Sequence, residues 1–157
     1  MRETVYLETT IPSYLTSRPT RDLIVSARQQ VTREWWEARR SGFDLFISQV
    51  VIDEVADGDP QIAQKRLDIL KGIPLLSITE DGISLAKRIL DSGTLPEKAA
   101  RDAAHIAVST VHGMLYLVTW NCKHLANAEI FERVGRVCAL AGFLCPVICT
   151  PDELLGE

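Results

Sequence analysis

Short apolar runs rich in β-branched residues alternate along the chain with longer segments of helical periodicity. This alternation is typical of βαβ units, in which helical crossovers join parallel strands. The runs predict five strands, at Thr4–Leu7, Leu45–Ser48, Leu75–Ile78, Leu115–Thr119 and Pro146–Cys149. We therefore expect an α/β fold built on a central parallel sheet of about five strands.

Capping residues mark where the predicted helices begin and end. Side chains that accept hydrogen bonds from free backbone amides favour helix starts at Asp59, Thr79 and Asn127. The pattern of a capping box occurs at Thr94–Glu97 and at Thr150–Glu153. Glycine favours helix ends at Gly72 and Gly142.

A long helix is predicted from about Arg21 to Arg40, where apolar residues recur near helical spacing. The helix also carries four arginines, Arg28, Arg33, Arg39 and Arg40. Three interpretations of these arginines stay open: contact with RNA, contact with a protein partner, and a solvated helix face.

The chain has 157 residues, of which 46% are apolar. A chain of this length buries about 69% of its unfolded surface on folding, which suffices for one core. We therefore expect one domain over residues 1–157. The longest apolar run, Ala139–Cys149, is shorter than the about 20 residues of a membrane span, and Glu3 stands where a signal peptide would be apolar. The chain is expected to be a soluble, cytoplasmic protein with no membrane partner.

The formal net charge of −4 disfavours nonspecific binding of duplex DNA through a broad basic face. It is compatible with a nucleic-acid substrate if carboxylates bind a metal ion that offsets their charge. Four cysteines lie near the end of the chain, at Cys122, Cys138, Cys145 and Cys149. Their spacing, with His124, fits no known zinc ribbon, so we interpret them as thiols of the core.

Three acidic residues and one amide lie near the ends of predicted strands, where open α/β proteins bind ligands. Glu8 directly follows the first strand, and Glu54 lies one to two helical turns after the second. Asp102 is predicted in the second turn of the helix before the fourth strand, and Asn121 lies two residues after that strand. Such oxygen donors suit Mg²⁺ or Mn²⁺ and phosphoryl chemistry, although the spacing alone also fits a chance cluster of acids.

Asp102 has a structural interpretation as well. It lies in a helix of small and apolar residues, where a buried carboxylate needs a partner, and an ion pair with Arg101 or a cap contact would supply one. Adjacent residues point to different sides of a helix, which argues against that pair. His105, one turn later on the same face, would orient Asp102 or be a hydrogen-bonded histidine of the core.

Glu54 has its own alternative, a solvated acidic face shared with Asp53 and Asp57. Its spacing of four residues from Val50 instead places Glu54 at the border of the buried side of its helix. We therefore predict a functional role for Glu54.

Four segments resemble the motifs of PIN-domain proteins of the bacterial VapC toxin type. They are Tyr6–Leu15 at the first strand, Ser48–Glu54, Asp102–Ala107, and Leu117–Asn127 at the fourth strand. They occur in the order of the family and cover nearly the whole chain.

The resemblance implies a three-layer α/β/α sandwich and an endoribonuclease that depends on Mg²⁺ (or Mn²⁺). It also implies a homodimer and, in toxin–antitoxin pairs, inhibition by a cognate antitoxin. Carried over to this chain, the resemblance implies that Glu8, Glu54 and Asp102 would ligate the metal. Asn121 stands at the position of a fourth acidic residue of the family. The hydroxyl of Thr119 would support the site, and His105 is a second supporting residue.

The chain departs from the family pattern at two positions. Glu8 stands where the family has Asp. Asn121 is neutral, and the missing charge should weaken the binding of a second metal ion in particular. These departures favour a second hypothesis, a catalytically weak PIN protein that acts by binding RNA or a protein partner. A phosphotransferase of the haloacid-dehalogenase kind is excluded, because the Glu8-Thr-Thr segment lacks the two aspartates that this chemistry requires.

Overall fold

The computed structural model describes residues 1–156 and contains one sheet of five parallel strands. The strands are β1 Glu3–Leu7, β2 Phe43–Ser48, β3 Leu75–Leu76, β4 Tyr116–Val118 and β5 Val147–Cys149. All five predicted strands are present, and the predicted α/β class with a parallel sheet is confirmed.

Seven α-helices connect the strands in the described part of the chain. They are α1 Thr10–Thr16, α2 Leu23–Ala38, α3 Gln49–Val55, α4 Pro60–Leu70, α5 Glu80–Asp91, α6 Ala100–Val111 and α7 Ala128–Leu140. Helix α1 packs against α2 and α4, whereas α5 packs against α6 and α7. The helices thus flank the sheet in two groups, which confirms the three-layer sandwich.

Strand β1 is the centre of the sheet, whose order is β3-β2-β1-β4-β5. Its residues Val5, Tyr6 and Leu7 are completely buried, as expected for a parallel strand covered on both faces. The chain adds β2 and β3 on one side of β1 and β4 and β5 on the other. The order therefore reverses beside β1, and the residues after β1 and β4 lie at the switch point where such sheets bind ligands.

Most predicted helix boundaries are confirmed by their capping contacts. The carboxylate of Asp59 accepts from the amide of Gln61 at 2.8 Å, and Thr79 Oγ1 accepts from the amide of Gly82 at 3.1 Å. Asn127 caps α7 in the same way, and Gly142 follows that helix with a φ of 88°. This left-handed backbone costs glycine little, so the helix ends there.

The predicted capping box at Thr94–Glu97 is wrong. Thr94 Oγ1 lies 2.8 Å from Ser92 Oγ, and the extended backbone of Pro96 separates Thr94 from the next helix. A single 3₁₀ turn, Glu97–Ala99, precedes α6, which has no side-chain cap. Because α6 begins only at Ala100, Asp102 lies in its first turn and not in its second.

Helix α1 was not predicted from the sequence. Its Pro12 lies in the first turn, where a proline is tolerated because the backbone amide has no partner within the helix. The expectation for the cysteines needs one correction. Cys138 and Cys149 are buried and Cys145 is half-buried, but Cys122 is exposed and is not a core thiol. All four cysteines are free thiols.

The long helix predicted to about Arg40 ends at Ala38 in the structure, so Arg39 and Arg40 follow it. Three of the four arginines of this region lie over aromatic rings of the same chain. The guanidinium of Arg28 is 5.2 Å from the Trp120 ring centroid, that of Arg40 is 4.4 Å from Trp36, and that of Arg39 is 5.7 Å from Phe43. None of the described helices is both long and apolar enough to span a membrane.

Candidate metal centre

Three elements bring two carboxylates and one imidazole together at the switch point of the sheet. Glu8 follows β1, Glu54 lies in α3, and His105 lies in α6. One carboxylate oxygen of each glutamate and a ring nitrogen of His105 all lie within 4.8 Å of one another. Glu8 and His105 are buried, whereas the Glu54 side chain is 20% exposed.

Two threonines hold the carboxylate of Glu8. Thr10 donates to Oε1 of Glu8 from its backbone amide at 3.0 Å and from its hydroxyl at 2.5 Å. Thr119 Oγ1 donates to the same oxygen at 2.8 Å. The Thr10 hydroxyl in turn accepts from the amide of Trp120 at 2.8 Å. These contacts fix the Glu8 carboxylate between α1 and the end of β4.

Glu54 contacts the imidazole of His105. Its Oε1 is hydrogen-bonded to Nε2 of His105 and accepts from Thr9 Oγ1 at 2.8 Å. Burial by itself raises the pKa of Glu54, but the hydrogen bond and the charge of His105 outweigh it, so the pKa lies below its usual range. Glu54 is therefore ionised at neutral pH.

The other nitrogen of His105 is held from inside the sheet. Nδ1 lies 2.8 Å from the hydroxyl of Tyr6, which lies 2.7 Å from Ser48 Oγ. Burial raises the pKa of Tyr6 far above its usual range, so the hydroxyl keeps its proton. If that proton points to Ser48, Tyr6 accepts from Nδ1–H, and Nε2 can lose the proton that it donates to Glu54 and offer its lone pair to a cation. This arrangement, with the second nitrogen hydrogen-bonded, is the usual one for a metal-binding histidine.

Asp102 lies beside a second set of polar contacts. Its Oδ1 accepts from Nδ2 of Asn121 at 3.1 Å, and its Oδ2 lies 3.0 Å from Nδ1 of His124. The backbone amide of Asn121 donates to Thr119 Oγ1 at 2.9 Å, and the Thr119 hydroxyl donates to Glu8. One continuous series of hydrogen bonds thus connects Asp102 to Glu8.

The donor set fits a divalent cation. Among residues 1–156, no Lys or Arg nitrogen lies within 4.0 Å of either glutamate of the cluster. The second oxygen of each carboxylate, Oε2 of Glu8 and Oε2 of Glu54, accepts no hydrogen bond from the described side chains or backbone. Buried carboxylates without a cation are costly, and carboxylate oxygens are typical ligands of the Mg²⁺ or Mn²⁺ expected from the sequence, to which the imidazole adds a nitrogen donor.

The structure places the predicted residues in two groups. Glu8 and Glu54 meet as predicted, and Thr119 contacts Glu8. Asp102 and Asn121 contact each other and lie outside the three-donor cluster. Of the two interpretations of His105, the structure agrees with a buried, hydrogen-bonded histidine: one ring nitrogen contacts Tyr6 and the other contacts Glu54, and neither contacts Asp102.

The structural alternatives for the two acids do not hold. The guanidinium of Arg101 is 3.1 Å from the carboxylate of Asp57 and does not pair with Asp102. Asp53 is exposed and accepts from Gln49 at 2.8 Å, so it does not share the surroundings of Glu54.

Sequence reasoning missed His124 and Tyr6. For His124 a signal was present: the Oδ1 of Asn121 accepts from the amide of His124 at 3.0 Å, a local turn that Asn at this spacing favours. Tyr6 carries no such signal, because alternation within β1 predicts its burial but not its partners.

Comparison with known proteins supports the fold. No protein-family model matches the sequence, and no protein of curated function matches it. Among solved structures, a chain of VapBC2 from Rickettsia felis, crystallised with a DNA fragment from its promoter, matches with a TM-score of 0.60. The match covers 94% of this chain and 98% of that one at 15% identity. The fold is that of a VapC-like PIN domain. In this PIN fold, the cluster of Glu8, Glu54 and His105 lies at the carboxyl ends of the central strands.

Proposed function

We propose that this chain is a metal-dependent endoribonuclease that hydrolyses phosphodiester bonds of RNA. The observation that carries the proposal is the cluster of two ionisable carboxylates and an imidazole, without a Lys or Arg partner, at the switch point of a PIN fold. A divalent cation bound there supplies an activated water and offsets charge on the phosphate in the transition state.

Glu8, Glu54 and His105 are the proposed ligands. Thr10 and Thr119 fix the orientation of the Glu8 carboxylate, and Tyr6 fixes the ring of His105. Asp102 is proposed as a further carboxylate of the site, oriented by its two neighbours. His124, 3.0 Å from Oδ2 of Asp102, is placed to exchange a proton with it.

The proposed biological setting is a toxin–antitoxin pair. The support is the VapBC2 structure, in which the similar chain belongs to a complex of that type on promoter DNA. A cognate antitoxin would then be the protein partner of this chain. The homodimer implied by the resemblance to PIN-domain proteins is part of the same proposal. Sedimentation of the purified chain, alone and with the product of the neighbouring gene, measures both associations.

The nuclease proposal is tested with labelled single-stranded RNA. We expect no cleavage in EDTA and recovery of cleavage when Mn²⁺ or Mg²⁺ is added in excess. Asp102→Asn should lower the cleavage rate by about 100-fold, equivalent to about 2.7 kcal/mol of transition-state stabilisation. The matched control is Asp53→Asn, which neutralises an exposed carboxylate next to Glu54 and should cleave at the wild-type rate.

Two results would contradict the proposal. Full cleavage in EDTA would exclude a metal-dependent reaction, and wild-type cleavage by Asp102→Asn would exclude that carboxylate. If RNA binds but no metal supports cleavage, the second hypothesis, a PIN protein that acts by binding, replaces the first.

A further inference from the structure

A cavity of about 240 Å³ lies between α1 and α4, apart from the metal centre. Its lining includes three cationic side chains, Arg18, Lys65 and Arg66, and only one carboxylate, that of Asp59. Asp59 Oδ1 is already engaged with the amides at the start of α4, at 2.8 Å and 3.2 Å. A chain with a net charge of −4 thus concentrates positive charge in one concave place.

The cations of this cavity balance no acid of the protein. Within residues 1–156, no carboxylate oxygen lies within 4.0 Å of the charged nitrogens of Arg18, Lys65 or Arg66. The Nε of Arg66 is also buried, and none of the described residues accepts a hydrogen bond from it. A buried donor without a partner is unfavourable, and a guanidinium free of internal contacts can turn towards an added acceptor.

The cavity is close to the metal centre along α1. Thr9 contacts Glu54, and Thr10 contacts Glu8. Ser13, which lines the cavity, donates to the carbonyl of Thr9 at 2.9 Å, one helical turn away. At a rise of about 1.5 Å per residue, the cavity begins within one turn of the residues that hold the two glutamates.

We propose that this cavity is a phosphate-binding subsite that holds the backbone of the RNA substrate beside the cleaved bond. The planar fork of Arg66 suits two phosphate oxygens, and the exposed cations of Arg18 and Lys65 complete the charge. Such contacts carry affinity and position the strand, but they read no base sequence. The inference rests on the proposed nuclease function for the identity of its ligand, a single-stranded RNA.

The test is equilibrium binding of a labelled single-stranded RNA in EDTA, where metal-dependent cleavage does not occur. Arg66→Gln should weaken binding by about tenfold. It should also reduce the slope of log affinity against log salt by about 0.7, the value for one lost phosphate contact on a single strand. Arg18→Gln, at an exposed position, should act in the same direction, and Arg66→Lys should recover part of the loss. Lys87→Gln on the exposed side of α5 removes the same charge elsewhere and is the control.

Equal binding by wild type, Arg66→Gln and Arg18→Gln would overturn the proposal, and so would losses no larger than that of Lys87→Gln. DNA of the same sequence should show the same ratio between wild type and Arg66→Gln, because phosphates are common to both polymers. A loss confined to RNA would overturn phosphate recognition.

The two proposals fail separately. If Arg66→Gln binds RNA weakly but the wild type does not cleave RNA with any metal ion, the phosphate subsite is supported and the nuclease proposal is rejected. Metal-dependent cleavage with unchanged RNA binding by the cavity variants keeps the nuclease and rejects the subsite.

Discussion

The hydroxyl of Tyr6 in the central strand lies 2.8 Å from Nδ1 of His105, 99 residues later in the chain. This contact fixes the imidazole whose other nitrogen faces Glu54. The proposed histidine ligand is therefore oriented by the sheet itself, and the orientation does not depend on a mobile loop.

Tyr6→Phe should weaken Mn²⁺ binding by about tenfold, because it removes the hydrogen bond that orients a ligand. It should also lower the free energy of unfolding by about 1–3 kcal/mol, since buried polar atoms of His105 and Ser48 lose their partner. Calorimetric titration with Mn²⁺ and thermal unfolding in EDTA measure the two effects. The control is Tyr116→Phe, which changes a tyrosine at the start of β4, the end of that strand away from the metal centre. Wild-type Mn²⁺ affinity in Tyr6→Phe would show that the imidazole does not bind the metal.

Asn121→Asp should have opposite effects with and without metal. The side-chain amide of Asn121 donates to Asp102. A carboxylate at position 121 cannot donate this hydrogen bond, and its charge repels that of Asp102. We expect lower stability in EDTA and a larger rise in melting temperature on adding Mn²⁺, because the added charge lies beside Asp102, the proposed further carboxylate of the site, and attracts the cation. Melting curves in both conditions give the answer. A smaller metal-dependent rise than in wild type would place Asn121 outside the metal centre.

The two glutamates should respond differently to neutralisation in EDTA. The pKa of Glu54 is lowered in the folded chain, so its ionised form stabilises the fold at neutral pH. That contribution is lost as the pH falls through the lowered pKa. Glu54→Gln should therefore melt below wild type at pH 7, whereas Glu8→Gln, which removes a buried charge without a cationic partner, should melt at the same temperature or above it.

Both variants should lose most of the metal-dependent stabilisation. A divalent ion at tenfold its dissociation constant stabilises the folded state by about 1.4 kcal/mol. For a domain of this size, that corresponds to a rise in melting temperature of roughly 3–6 °C. Glu3→Gln, at the opposite end of β1, should keep the full rise. Wild-type rises in Glu8→Gln and Glu54→Gln would mean that the ion binds elsewhere.

The sequence predicted the strands and most caps because these depend on local patterns. Alternation of apolar residues indicates a strand, and Asp59 or Asn127 caps a helix through amides two or three residues away. The same reasoning brought Glu8 and Glu54 to one edge of the sheet, since parallel strands end on the same side.

The pairing of Glu54 with His105 could not be read from the sequence. These residues are 51 positions apart, and their contact depends on how α3 packs against α6. Periodicity shows which face of α6 is buried, but it does not show which element covers that face. Spacing within one helix therefore left two interpretations of His105 open, and neither one named the contact with Glu54 on another helix.

The exposed thiol of Cys122 gives a test of the packing around the cysteines. Cys122 should react first with a thiol reagent in the native protein, since Cys138 and Cys149 are buried. Burial also raises the pKa of Cys149 to about 12, which keeps it a poorly reactive thiol at neutral pH. Mass mapping of the labelled residue after brief treatment identifies the site. Labelling of Cys149 as fast as Cys122 would contradict the described packing of β5.

RNA cleavage should require a metal ion held by Glu8, Glu54 and His105. The decisive measurement is single-turnover cleavage of a labelled RNA across a Mn²⁺ titration with wild type, Glu8→Gln and Glu3→Gln. We expect saturable, Mn²⁺-dependent cleavage in wild type and Glu3→Gln, and a rate lower by about 100-fold in Glu8→Gln. Equal rates and equal Mn²⁺ half-saturation in wild type and Glu8→Gln would contradict this requirement.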